Sequence, residues 1–133
     1  MHILLVDDNG EIRSTLTTFL QSAGHRVQAC SNARDAWSRV EADEGPFELL
    51  ITDIRMPLMG GMELATRLRA RGSRMPIIFI AGGIEAELER PNMRFSPYRV
   101  LNKPFMVDTF LDMVREVGAT PASTRDDWPA LGC

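Results

Sequence analysis

Residues 47–61 read Phe-Glu-Leu-Leu-Ile-Thr-Asp-Ile-Arg-Met-Pro-Leu-Met-Gly-Gly, so that a short apolar run ends in Asp53 and a loop rich in Met, Pro and Gly follows. Apolar runs of this length, separated by helical patterns, are typical of buried parallel strands. The carboxylate comes directly at the end of such a strand. In open α/β sheets, ligands bind beyond the carboxyl ends of the strands. Asp53 is therefore predicted to lie at the ligand-binding edge.

Two other apolar runs end in charged residues in the same way. Residues 2–6 are followed by Asp7 and Asp8, and residues 98–102 are followed by Lys103. Because parallel strands end at one edge of the sheet, the sequence predicts that three carboxylates and one ammonium meet there. Such a set suits a hard divalent cation together with a phosphoryl group.

The chain alternates strand and helix patterns throughout. The predicted strands cover residues 2–6, 26–30, 47–53, 77–81 and 98–102. The predicted helices cover about residues 12–23, 33–40, 62–72, 84–90 and 107–117. The fourth of these helices is weak and polar, and Pro91 ends it. Five βα units with right-handed crossovers predict an α/β fold, a doubly wound five-stranded parallel sheet covered on both faces.

Composition limits the function further. A length of 133 residues fits one domain, and a net charge of −3 argues against a nucleic-acid-binding surface. Cys30 and Cys133 have neither metal-ligand spacing nor the pattern of a disulfide framework, which favours a reducing cytoplasm. Met1 leads directly into the first strand, so we expect no signal peptide. No apolar stretch is long enough to span a membrane.

The last residues show a different pattern. Residues 119–133 have no hydrophobic periodicity and are rich in small and polar residues. We expect one domain over residues 1–118, with a flexible tail or the start of a linker over residues 119–133.

The motifs in order match a known family. The chain resembles the receiver domain of two-component response regulators over about residues 2 to 118. The resemblance rests on the acidic pair Asp7-Asp8, on the stretch from Asp53 to Gly61, and on Lys103-Pro104-Phe105. It implies a flavodoxin-like (βα)5 fold with strand order 2-1-3-4-5. It also implies that a phosphohistidine donor, either a sensor histidine kinase or a histidine phosphotransfer protein, phosphorylates Asp53.

The chemistry of such a site can be argued from charge. A carboxylate is a poor nucleophile towards phosphate because both are anionic, and a divalent cation removes that repulsion. Mg²⁺ prefers oxygen ligands and keeps several waters, so one or two carboxylates suffice. Clustered carboxylates also repel one another, which favours cation binding. A lysine ammonium supplies a mobile point charge for a phosphoryl oxygen.

The resemblance assigns individual roles. It implies that Asp8 and Asp53 ligate Mg²⁺ directly, that the backbone carbonyl of Arg55 is a third ligand, and that Asp7 binds through a water. Lys103 would contact the phosphoryl group, and a cis peptide before Pro104 would direct it inward.

The resemblance carries three further expectations. The backbone at Ala81 and Gly82 would contact phosphoryl oxygens. A downstream protein would bind the face formed by helix four, strand five and helix five. The protein would not be an enzyme beyond its own phosphorylation and slow dephosphorylation.

Two positions depart from the family pattern. The fourth strand usually ends in Ser or Thr, and here it ends in Ala81. The usual aromatic switch residue lies three positions before the lysine, and here that residue is Val100. Tyr98, two residues earlier, lies on the same face of the strand and could substitute in part. These departures favour an alternative, a pseudo-receiver that docks a partner without phosphate, whereas the complete acid–lysine set opposes it.

Other interpretations account less well for these residues. Asp7 and Asp8 could be turn residues or helix-capping acids, but their occurrence with Asp53 and Lys103 argues against this. A phosphohydrolase of the haloacid-dehalogenase type would need Asp two residues after its nucleophile, where this chain has Arg55. A dinucleotide-binding domain is excluded because no Gly-rich phosphate loop follows the first strand.

Overall fold

The computed structural model describes residues 1–42, 46–82 and 94–119. Within these residues, strands and helices alternate along the chain. The strands are β1 His2–Val6, β2 Arg26–Cys30, β3 Leu49–Asp53, β4 Ile77–Ala81 and β5 Tyr98–Asn102. The helices are α1 Gly10–Ser22, α2 Ala33–Glu41, α3 Gly61–Ala70 and α4 Val107–Ala119. No helix among these residues is long and apolar enough to cross a membrane.

The strands form one parallel sheet in the order β2-β1-β3-β4-β5. This confirms the predicted fold class and strand order. Val6 on β1 pairs with Thr52 on β3, and Asp53 pairs with Ile80 on β4. The register therefore brings the ends of the three central strands to one edge of the sheet.

Alternating side chains bury both faces of the sheet. The face covered by α2 and α3 includes Leu50 and Phe79, and the face covered by α1 and α4 includes Ile51 and Ile78. All five residues of β3 are buried. Since a central parallel strand is enclosed on both faces, it reads as a continuous apolar run.

The element boundaries agree closely with the predicted ones. β3 begins at Leu49 rather than at Phe47, because its pairing with β1 starts at Leu49, opposite Ile3. The Phe47 ring lies before the paired residues and packs on the His2 ring, with centroids 4.6 Å apart. Helices α1 and α3 are followed by Gly24 and Gly72, whose φ angles of 93° and 89° favour glycine. α4 corresponds to the predicted fifth helix, and it extends to Ala119. The predicted fourth helix at 84–90 and residues 120–133 lie outside the described residues.

An arginine on α3 fixes the segment that leads into β5. The Arg69 guanidinium donates to the carbonyl of Phe95 at 3.0 and 3.2 Å, to that of Pro97 at 3.0 Å and to that of Ser73 at 3.0 Å. Phe95 is 1% exposed and packs edge-on against Phe79. One side chain thus satisfies three carbonyls beside a buried aromatic cluster.

Replacing this arginine should destabilise the fold. We expect Arg69→Ala to lower the free energy of unfolding by about 2–4 kcal/mol, because several acceptors lose a charged donor. Urea unfolding followed by circular dichroism measures this loss. Arg69→Lys keeps the charge but lacks the planar guanidinium, so it should recover only part of the stability. Equal stabilities of Arg69→Ala and the wild type would contradict the role of this side chain.

Candidate functional site

Three carboxylates lie together at the carboxyl edge of the sheet. Asp7 and Asp8 follow β1, and Asp53 is the last residue of β3. One carboxylate oxygen from each lies within 4.8 Å of the other two. Asp7 and Asp53 are buried, whereas Asp8 is exposed. The sequence prediction that these groups meet is therefore confirmed by their placement.

The backbone around Asp7 is held on several sides. Its N–H donates to the carbonyl of Cys30 at 3.2 Å, and its Oδ1 accepts from the N–H of Asn9 at 2.8 Å. Asn9 in turn caps α1, since its side chain accepts from the N–H of Ile12. Oδ2 of Asp7 is buried and has no hydrogen-bond partner among the described residues. A buried carboxylate oxygen in this state is available to a ligand.

The loop after Asp53 folds back closely on the end of β3. The N–H of Gly61 donates to the carbonyl of Ile54 at 2.9 Å, and a Cβ at Gly61 would lie 2.2 Å from the carbonyl oxygen of Asp53. Glycine is therefore required where α3 begins. Leu58 in the same loop has a φ of 70° and is exposed. The start of α3 therefore packs directly against the backbone of Asp53 and Ile54.

Lys103 completes the charged set. The side-chain Nζ of Lys103 lies 3.2 Å from Oδ1 of Asp53, and the backbone N–H of Lys103 donates to the carbonyl of Ala81 at 2.8 Å. The peptide between Lys103 and Pro104 is cis, as predicted. Lys103 is also the single lysine in the chain. The ammonium therefore reaches the carboxylates from the end of β5.

A cavity of about 420 Å³ opens between these groups. It is lined by Asp8, Asn9, Ile12, Asp53, Arg55, Ile80, Gly82 and Lys103. It thus brings together most of the predicted site residues. Ala81 is 1% exposed and packs with the α2 and α3 face.

The two positions that depart from the family pattern are buried. Val100 is 4% exposed and belongs to the same apolar cluster as Ala81. Tyr98 is also buried, and it packs edge-on against Phe79 with ring centroids 5.6 Å apart. Apolar contacts therefore fill the region where the family usually places a hydroxyl and a mobile ring.

Asp53 has a perturbed acidity. The pKa of Asp53 is raised from 3.8 to about 7. Burial has the largest effect, the neighbouring Asp7 carboxylate adds to it, and the Lys103 ammonium opposes the shift. Without a cation, the negative charge on Asp53 is costly at neutral pH. This is the electrostatic condition under which a divalent cation binds favourably.

The raised pKa of Asp53 predicts a pH dependence of stability. The Asp53 carboxyl holds its proton more tightly in the folded state than in the unfolded state. Protonation of Asp53 therefore stabilises the fold fully below about pH 4, and this contribution to the free energy of unfolding is lost as the pH rises to about 7. In metal-free buffer at pH 8, Asp53→Asn should therefore be about 1–3 kcal/mol more stable than the wild type. The difference should vanish near pH 4. Urea unfolding across this range measures it, and Asp112→Asn on α4 controls for the loss of one charge. A gap that widens at acidic pH would contradict the assignment.

The donor set fits a hard divalent cation. Oxygen ligands come from three carboxylates, one of which has a buried oxygen without a hydrogen-bond partner among the described residues. The exposed position of Asp8 leaves room for the waters that Mg²⁺ retains. Among the described residues, the cluster consists of carboxylates and includes none of the thiolates or imidazoles that a structural zinc site uses.

Comparison with known proteins identifies the family. The sequence model described as the response regulator receiver domain matches residues 3–115. The chain belongs to the response regulator receiver family. This receiver is 36% identical over 115 residues to the response regulator receiver protein CpdR of Brucella abortus, covering 86% of this chain and 92% of CpdR. Receivers of this family are signalling modules rather than metabolic enzymes.

Two further relatives define the extent of the match. The receiver is 35% identical over 113 residues to the C4-dicarboxylate transport transcriptional regulatory protein DctD of Pseudomonas aeruginosa, covering 85% of this chain but 24% of DctD. The chain therefore spans about a quarter of the length of that relative. The response regulator TrrA of Thermotoga maritima, solved in complex with Mg²⁺ and BeF, superposes with a TM-score of 0.74 at 26% identity, covering 87% of this chain and 97% of TrrA. These matches support the receiver interpretation, and none favours the pseudo-receiver.

Some site residues were not found from the sequence. Asn9 holds Asp7 and caps α1, and the guanidinium of Arg13 donates to the carbonyl of Asp7 at 2.8 Å. An Asn before a helical pattern is a capping signal that could have revealed the first. No sequence signal indicates the role of Arg13, because a backbone carbonyl can accept from a side chain whatever the type of its own residue.

Proposed function

We propose that this receiver accepts a phosphoryl group on Asp53 from a phosphohistidine, with Mg²⁺ as cofactor. The donor would be a sensor histidine kinase or a histidine phosphotransfer protein. The single observation that carries this proposal is the cluster of three carboxylates within 4.8 Å, with Lys103 at 3.2 Å from Asp53. A kinase of this class presents its phosphohistidine in the cytoplasm, where we place the receiver.

The transfer step uses groups of this chain. A carboxylate oxygen of Asp53 attacks phosphorus, the P–N bond to the histidine breaks, and its electron pair leaves with the imidazole, which takes up a proton. The product is an aspartyl phosphate. The Lys103 ammonium stabilises charge on the phosphoryl oxygens, and burial of Asp53 restricts water around the reacting oxygen. Positioning and charge neutralisation account for most of the catalysis in such transfers.

The proposed metal ligands follow from the same cluster. Asp8 and Asp53 would bind Mg²⁺ directly, the backbone carbonyl of Arg55 would be a further ligand, and Asp7 would bind through a water. When bound, the cation neutralises the carboxylates and the incoming phosphoryl group. The backbone at Ala81 and Gly82 would contact the phosphoryl oxygens, and Gly82 already lines the cavity.

The direct test is intact-mass analysis after incubation with phosphoramidate, a small-molecule donor. With Mg²⁺, the protein should gain the mass of one phosphoryl group, and peptide mapping should place that group on Asp53. With a chelator, the gain should disappear. A gain that resists the chelator, or one that maps elsewhere, would refute the proposal.

The output of this receiver should differ from the usual pattern. We propose that a downstream protein binds the face made by the fourth predicted helix, β5 and α4. Ala81 has no hydroxyl to contact the phosphoryl group, and Val100 has no ring to move. A ligand shifts an equilibrium only through differential contacts with the two states. Phosphorylation should therefore alter this face only slightly.

This reduced response can be measured by amide chemical shifts with and without Mg²⁺ and beryllofluoride. We expect the largest shifts near Gly82, together with Gly83 outside the described residues, and small shifts from Arg99 to Phe110. Asp53→Asn under the same additions is the control for binding elsewhere. Equally large shifts across both regions would show that another residue, with Tyr98 first to examine, transmits the signal.

A further inference from the structure

We propose that Arg13 is a positioning residue, which holds the Asp7–Asp8 peptide in the orientation needed for divalent-cation binding. The inference rests on the metal site proposed above. Arg13 lies on α1, half-buried, and its Nη1 donates to the main-chain carbonyl of Asp7 at 2.8 Å. That carbonyl belongs to the peptide that joins the two acidic residues. A hydrogen bond from a charged donor is about twice as strong as a neutral one.

This carbonyl needs a partner outside the sheet. The last β1 residue paired with β2 is Val6, opposite Cys30, and the N–H of Asp7 still donates to Cys30. The carbonyl of Asp7 therefore lies past the end of the paired strands, where the Arg13 side chain reaches it. The backbone N–H of Arg13 also donates to the carbonyl of Asn9 at 2.9 Å. One residue of α1 thus holds both ends of the turn between β1 and the helix.

The orientation of this peptide decides where two carboxylates point. Asp7 is fully buried and Asp8 is exposed, yet each places an oxygen within 4.8 Å of Asp53. Adjacent side chains usually diverge in an extended strand, so convergence on one site requires a defined turn. Rotation of the Asp7–Asp8 peptide would move at least one of these oxygens away from the cluster.

An electrostatic role and a positioning role for Arg13 predict opposite effects of its removal on cation affinity. The guanidinium is always cationic, so its removal should strengthen cation binding if charge alone mattered. Its removal should weaken cation binding if it holds the peptide in place. Loss of an outer contact that orients a metal ligand lowers metal affinity by about 10–100-fold. The sign of the change therefore separates the two roles.

The test is calorimetric titration of Mg²⁺ into the wild type, Arg13→Gln, Arg13→Lys and Arg26→Gln. The last removes the same charge at an exposed position of β2. We expect Arg13→Gln to bind Mg²⁺ about 10-fold more weakly, Arg13→Lys to lie between it and the wild type, and Arg26→Gln to match the wild type. The half-saturating Mg²⁺ concentration for phosphoramidate labelling should rise for Arg13→Gln, while the rate at saturating Mg²⁺ recovers. A general loss of structure would instead lower the rate at saturating Mg²⁺ as well.

Equal or tighter Mg²⁺ binding by Arg13→Gln would overturn the positioning role. If that variant does not fold, Arg13→Lys decides, since it keeps the charge: weaker binding supports the role, and binding equal to the wild type overturns it. Failure of the wild type itself to bind Mg²⁺ would instead refute the proposed function.

Discussion

Asp53→Asn is expected to remove phosphoryl incorporation completely under conditions that label the wild type. The substitution keeps the size of the side chain but replaces the attacking oxygen pair with an amide, which is a very poor nucleophile. The fold should persist, because the buried negative charge on Asp53 lowers the free energy of unfolding at neutral pH rather than raising it. Intact-mass analysis after incubation with phosphoramidate and Mg²⁺ measures the effect directly.

Asp108→Asn is the matched control for this experiment. Asp108 lies in the first turn of α4 and is exposed, so the same chemical change there should leave labelling unaffected. Labelling of Asp53→Asn at the wild-type level would place the phosphoacceptor elsewhere. A second carboxylate of the cluster would then be the first to examine.

Asp8→Ala and Lys103→Ala should change Mg²⁺ affinity in opposite directions. Asp8→Ala removes a proposed ligand, so the dissociation constant should rise by about 100-fold, equivalent to about 2.7 kcal/mol. Lys103→Ala removes an ammonium that lies 3.2 Å from Asp53. Relief of cation–cation repulsion should lower the dissociation constant by about 3–10-fold.

Calorimetric titration of both variants at one ionic strength tests this pair of expectations. Lys103→Met, which keeps most of the side-chain volume, separates the loss of charge from the loss of packing. The reverse order, with Lys103→Ala binding Mg²⁺ more weakly than Asp8→Ala, would mean that the roles of these residues are misassigned.

The parts of this receiver that the sequence predicts best are those with strong local signals. β4 and β5 match their predicted limits because buried apolar runs bounded by turn residues have few alternatives. The meeting of Asp7, Asp53 and Lys103 was also predicted, because strand ends in a parallel sheet share one edge.

The parts that escaped prediction depend on contacts between distant residues. Arg69 donates to the carbonyls of Phe95 and Pro97, more than 25 positions away, and no pattern of residue types marks such a contact. The left-handed backbone at Leu58 was equally hidden, since glycine or asparagine usually signals that conformation. A side chain that donates to a backbone carbonyl can lie at any separation along the sequence. The contact of Arg13 with the carbonyl of Asp7 is therefore visible only in the structure.

The ion pair between Lys103 and Asp53 has a practical consequence for chemical labelling. Every other permanently basic side chain in this protein is an arginine, so an amine-selective reagent has one side-chain target, with the terminal amine as its internal reference. That target lies beside Asp53, the proposed phosphoacceptor, and is about one-third exposed. The rate at which Lys103 is acylated therefore reports whether a ligand occupies the cavity beside Asp53. This measurement requires neither an added fluorophore nor an engineered residue.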